Sequence, residues 1–422
     1  MAADFLASHG IDLDSVMSNI QFSSTSQKKI NPTKIYPISK IVGARLPQRS
    51  PSTLWDVSMS GGLVSSVDPH QKSPFNISNL AGVLDAKGRL LIPSLCHAHI
   101  HLDKCFLLQD SKYGDLEIIK GDFAEAMSLT GQAKQRFEED DLLRRGRRLI
   151  EESIDAGVTA MRAFVEVDEV VGLKCLDAGL KLKDEFRDIC EVQICAFAQL
   201  ALFTGEDGGG RRRELMEEAL TRADVDVIGS TPYVEGDEGN MVRNIQWTIR
   251  KALKTGKHLD LHLDYNLAAG TPLIWQVLKD LVEQGWTHKA RPLQKICLGH
   301  CTRLTLFTKS EWERLKFEIG NLPISFIGLP TSDLFMMGRP EDEDGGGGQR
   351  MRGTLQIPQM IRQYGLNGAI AINNVGNAFT PQGNCDPLSI ACMGVAVYQA
   401  GTKADTDILF VGTGDGKFCA RD

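Results

Sequence analysis

A chain of 422 residues with 42% hydrophobic and 24% charged residues is long enough for one large globular domain with a smaller one attached, and its composition is neither disordered nor fibrous. Its net charge of -7 offers no basic stripe to displace phosphate counterions, which argues against a nucleic acid partner, and no apolar run approaches the roughly 20 residues that span a bilayer. The start MAADFLASHGIDLDS is acidic where a secretory signal is basic, and the ten cysteines form no dense framework, so a cytoplasmic protein with reduced thiols is expected.

Residues 1 to 33 are polar and read as a leader outside the fold. From 34 to 90 come short strand-like pieces, IYPISKIVGARL, LWDVSMSGG and GVLDAKGRL, which predict a small β-sandwich domain formed mainly from this amino-terminal segment. From 91 to 405 apolar strand candidates alternate with helix patterns such as DLLRRGRRLIEESIDAG and TPLIWQVLKDLVEQG. The eight candidates are LLIPSLCHAHIHLD, VTAMRAFVEVD, CEVQICAFAQL, VDVIGSTPYVE, HLDLHLDYN, KICLGHCTRL, PISFIGLPTSD and GAIAINNVGN. Eight βα units favour a TIM (β/α)8 barrel over an open doubly wound sheet, and that fold collects its chemistry at the carboxyl ends of the strands. The basic clusters RRGRR (144 to 148) and GRRRE (210 to 214) read as solvated helix faces. EDEDGGGGQR (341 to 350) reads as a flexible insertion or a lid, and 406 to 422 as an atypical tail, from a β domain completed elsewhere or a truncated product.

The first barrel strand ends in HAHIHLDK, and strand alternation would put His97, His99 and His101 on one face. Buried imidazoles need partners, and a metal ion would satisfy several at once. The other strand ends carry Gln199 on strand three, His262, Asp264 and Tyr265 on strand five, His300 on strand six, and Asn373 and Asn374 on strand eight. His99, His101, His262 and His300 therefore fall late on barrel strands, where the strands converge. A purely structural protein would have no use for them there.

PSLCHAHIHLDK, VQICAFAQL, LDLHLDYN, LGHCTRL, LPTSDLFMMGR with RMRGT, and INNVGNAF resemble the strand-end motifs of the amidohydrolase superfamily, in its cytosine deaminase-like branch, over about 40 to 400. The resemblance implies one divalent metal ion, zinc or iron first, held by His99, His101 and His262 with Asn373 as a weak or outer ligand, and it leaves His97 outside the ligand set. It further implies that Gln199 and Arg339 bind substrate and that His300 polarises substrate or water. The implied activity is hydrolysis of a non-peptide C–N bond in a small nitrogen heterocycle, a cyclic amide or amidine, by attack of a metal-bound hydroxide. Two departures stand out: Tyr265 replaces the family's proton-shuttling glutamate, and Asn373 replaces its metal-binding aspartate. An amide can coordinate through oxygen but cannot act as a base. Candidates for the displaced proton are Asp264 first, then His300, Glu166 and Tyr265 as an acid, while Asp103 and Lys104 are expected to pair structurally. The alternative is a barrel that has lost hydrolysis and binds a small molecule, or polarises a carbonyl without hydrolysing it. A homo-oligomer is left open.

Overall fold

A computed structural model describes residues 37–47, 49–71, 80–338 and 351–414. The leader, Arg339, the EDEDGGGGQR segment and residues 415–422 lie outside the described residues. The chain divides between Ile92 and Pro93 into two compact units. In the first, β1 (Lys40–Ala44), β2 (Trp55–Ser60), β3 (Leu63–Pro69) and β4 (Val83–Asp85) form one sheet in the order β3-β2-β1-β4, parallel only between β1 and β4. The two-residue turn between β2 and β3 is Gly61-Gly62, both at positive φ, as the tightest hairpins require.

The second unit is the barrel. Its strands are β5 (Leu95–His101), β6 (Val158–Glu166), β7 (Glu191–Ala198), β8 (Val225–Ser230), β9 (His258–Leu263), β10 (Ile296–His300), β11 (Ile324–Gly328) and β12 (Gly368–Ile370). They pair in sequence order, all in parallel. The two edges meet where His101 N–H donates to the Asn373 carbonyl at 2.8 Å and Asn373 N–H donates to the His99 carbonyl at 3.2 Å. The strands are apolar on both faces because helices cover the outside, as VTAMRAFVE in β6 illustrates. Those helices are α1 (Phe123–Lys134), α2 (Glu139–Asp155), α3 (Lys174–Glu185), α4 (Gly210–Leu220), α5 (Glu238–Thr255), α6 (Ile274–Glu283), α7 (Lys309–Ile319), α8 (Pro330–Met336), α9 (Ile357–Tyr364), α10 (Pro387–Val397) and α11 (Lys403–Gly414). The start of the expected tail is thus helical, and α11 packs on α10 and on the β5 and β12 edges.

Inside the barrel, Arg162 on β6 donates to Asp260 on β9 at 2.9 Å and to Gln193 on β7, and both ions are fully buried. A buried ion whose partner is removed costs about 3–5 kcal/mol. Arg162→Ala should therefore destabilise the protein by roughly that amount, seen as a lower midpoint in urea unfolding.

Candidate metal centre and active site

Strand alternation fails in β5 for a specific reason. His97 pairs with Met161 and Ile100 with Ala163, so three steps on β5 match two on β6, and the strand carries a bulge between them. A bulge changes which side chains share a face. His97 accordingly points away from the other two: its Nε2 lies 3.1 Å from Ser153 Oγ on α2, and burial, only partly offset by a backbone contact with Cys385, lowers its pKa to about 4. The expectation of three histidines on one face is corrected to two.

His99 and His101 turn inward to meet His262 of β9, with one ring nitrogen from each within 4.8 Å of the others. His101 Nε2 and His262 Nε2 stand 3.2 Å apart. Gly299 makes room, since a Cβ there would sit 3.2 Å from His99 Cε1. Both ring nitrogens of His99, and Nδ1 of His101 and of His262, are buried without a hydrogen-bond partner. Burial first, then neighbouring positive charge including Lys104 and His300, holds all three well below the ordinary 6.5. They are neutral bases with unshared lone pairs, the form in which imidazole binds a metal.

Asn373 completes this donor set. Its Nδ2 donates to Ser332 Oγ at 2.7 Å, and its Oδ1 is left buried and unpartnered. Ser332 Oγ in turn lies 2.6 Å from Thr380 Oγ1. The amide is thus held with its oxygen free, and five orphan polar atoms on four residues fit a cation that prefers nitrogen and oxygen ligands.

His300 sits beside the cluster, its ring centroid 5.2 Å from that of His262. Its Nδ1 is 2.8 Å from Asp333 Oδ1 on α8, and Asp333 Oδ2 accepts from Thr354 at 2.6 Å. Tyr265 lies 3.8 Å from the His300 ring, and its hydroxyl donates to the Ser332 carbonyl at 3.3 Å. Burial, then the Asp333 charge and Tyr233, lifts the Tyr265 phenol well above 10, so it stays protonated. Asp264, His300, Cys301 and Asn373 all adopt positive φ at these strand ends. Backbone strain concentrated in one ring of residues is typical of a functional site.

On the opposite wall, Lys104 donates to Glu166 at 2.9 Å and to Gln199 Oε1 at 3.1 Å. Lys134 of α1 bonds the other Glu166 oxygen at 2.6 Å and also Asp168. Burial works against the ionised Glu166, but these two ammonium groups outweigh it and bring its pKa down to about 2. The expected Asp103–Lys104 pair is not what forms. Asp103 instead accepts the Glu166 backbone N–H at 2.7 Å, and burial, with Glu166 beside it, raises it to about 6.

No family model matches the chain. It is 26% identical over 336 residues to N-isopropylammelide isopropyl amidohydrolase of Pseudomonas sp. (strain ADP), covering 78% of this chain and 73% of that one. The fold superimposes on 5-methylcytosine deaminase from Klebsiella pneumoniae with a TM-score of 0.76 at 23% identity, over 90% of this chain and 86% of the other. For N-isopropylammelide isopropylaminohydrolase from Burkholderia multivorans the TM-score is 0.69 at 19% identity, over 91% and 87%. The chain is thus similar in sequence to an amidohydrolase and shares its fold with deaminases of cytosine-like rings.

The strand ends bring together His99, His101, His262, His300, Asn373, Tyr265 and Gln199, but not Asp264. Its two carboxylate oxygens accept the N–H groups of Leu273 and Ile274 at 2.7 and 3.0 Å, which anchors the start of α6. Asp264 is therefore corrected from a proton carrier to a helix anchor. Glu166, bonded to two ammonium groups, is likewise no free base. Asp333 and Ser332 were missed, although LPTSD at the end of strand seven carried both. Lys134 left no signal, because it reaches the site from a helix between two units of the repeat.

Two outcomes follow from this arrangement. Ser332→Ala frees the Asn373 amide to turn, and should weaken zinc affinity by about 10- to 100-fold, measured by competition with a chromogenic chelator. The pH response has a definite sign. Unfolded histidines take up protons near 6.5 while native His99, His101 and His262 do not, so below that pH the unfolded state binds more protons and stability falls. Metal-free His262→Asn, with one suppressed imidazole fewer, should lose less melting temperature than the native protein as pH drops through that range.

Proposed function

We propose that this protein is a metal-dependent hydrolase of a non-peptide C–N bond in a cyclic amide or amidine. The observation that carries this reading is the buried, uncharged cluster of His99, His101 and His262 with the orphan oxygen of Asn373, at the carboxyl ends of a barrel's strands. One divalent ion held there, zinc or iron, would act as a Lewis acid and bring the pKa of a water bound to it toward about 7.

The chain's own groups divide the remaining work. His300 donates its Nδ1 proton to Asp333, which leaves Nε2 as an acceptor facing the site. It accepts the proton released by the attacking water and returns it to the departing nitrogen. The Tyr265 phenol, held protonated, donates hydrogen bonds and does not serve as a base. Gln199, fixed by Lys104, orients the ring. The nine described cysteines are free, which supports a reducing, cytoplasmic setting, and no described helix is long and apolar enough to cross a membrane. Tyr265 and Asn373 standing where the family has carboxylates favour one rival, a barrel that binds its ligand without hydrolysing it.

Elemental analysis of protein purified without added metal should find near one equivalent of zinc, iron or manganese, lost in His262→Ala. Amine release from N-isopropylammelide, 5-methylcytosine and related rings should follow metal content. A metal-loaded protein that binds such rings and never turns them over would establish the rival instead.

A further inference from the structure

The cavity above the histidines has an unusual polarity. None of its described lining residues is acidic, and among them Lys104 is the one lysine or arginine. Glu166 lies behind Lys104 with both oxygens taken by ammonium groups, and Asp333 lies behind His300 with both oxygens bonded.

The hydrogen bonds also fix which end of each amide faces the cavity. Lys104 Nζ can only donate, so the Gln199 atom it touches is Oε1, and Nε2 is left for a ligand. Asn377 Oδ1 accepts the backbone N–H groups of Phe379 and Thr380, so its other end is the amine, which donates to Asn374 Oδ1 at 2.8 Å. Asn374 therefore presents its own Nδ2. Three N–H donors, from Lys104, Gln199 and Asn374, stand at the ends of β5, β7 and β12, while the acceptor His300 Nε2 stands at the end of β10. Phe123, Tyr233 and Phe379 supply the flat apolar walls.

We propose that this pocket takes a carbonyl-rich ring, such as a cyclic imide or ureide, in preference to an aminopyrimidine. The inference rests on the proposed hydrolase reading and narrows its substrate class. An oxo edge accepts from all three donors, whereas an amidine edge sets its own N–H groups against them. Each unmatched donor is worth about tenfold or more in affinity. The chemistry agrees. When the oxygen of water bonds to the ring carbon, the C–N bond breaks with its electron pair on a nitrogen whose charge spreads into the neighbouring carbonyl. That nitrogen leaves without a carboxylic acid beside it, and the proton held on His300 returns to it. The pocket then has no need of a carboxylate at position 265.

Titration calorimetry on the zinc-loaded full chain, with barbiturate as the oxo probe and cytosine as the amidine probe, tests this directly. Barbiturate should bind at least about tenfold tighter than cytosine. Asn374→Asp and Gln199→Glu, each replacing a donor with an acceptor, should reduce that ratio by about tenfold or more. Native protein that prefers cytosine, or binds neither ring at millimolar concentration, overturns the proposal. So does an unchanged ratio in both variants, shown folded by circular dichroism. Failure of the hydrolase reading shows separately, as barbiturate binding intact with no ring in the panel hydrolysed.

Discussion

Two backbone hydrogen bonds, from His101 to the Asn373 carbonyl and from Asn373 to the His99 carbonyl, close the barrel and assemble its centre in the same act. They pin two imidazoles of β5 against the amide that follows β12, so the metal-binding geometry exists only when the first and last strands meet. Everything else at the site leans on that seam. The bulge in β5 turns His99 inward there, α11 packs along the outside of the same two strands, and Ser332 reaches across to set the Asn373 amide.

A second constraint is how charge is kept out of the cavity. The nearby acids exist, but each is bonded to neighbouring side chains: Glu166 to Lys104 and Lys134, Asp260 to Arg162, Asp333 to His300 and Thr354. The result is a buried space with no carboxylate among its described lining residues, in which hydrogen bonds and ion pairs weigh more than they would in water. A site arranged this way stabilises negative charge that develops on a bound ring. It does so by fixed dipoles and ammonium groups rather than by a mobile carboxylate.

Much of this was legible in the sequence. The barrel strands were visible because each is apolar on both faces and separated from the next by a helix-length amphipathic run, and His99, His101, His262, His300 and Asn373 were found because they end such strands. The failures have local causes. His97 was grouped with its neighbours because alternation assumes an unbroken ladder, and the bulge is set by pairing with β6, which no single strand reveals. Asp264 was ranked as a base because it follows His262 by two, yet its positive φ swings the side chain toward α6. The polarity of Asn374 depends on Asn377 and two backbone N–H groups, a relation that only folded coordinates express.

The ring of left-handed residues at the barrel mouth has a cost that falls on the protein as a whole. Asp264, His300, Cys301 and Asn373 each hold a conformation that disfavours a side chain by about 1 kcal/mol or more. Glycine would relax the backbone at each, but at His300 and Asn373 it would remove a side chain of the site as well. The mouth is therefore where this fold is least optimised for its own persistence. Any lineage selected only for heat tolerance would find its easiest gains there, and would pay for them in lost function.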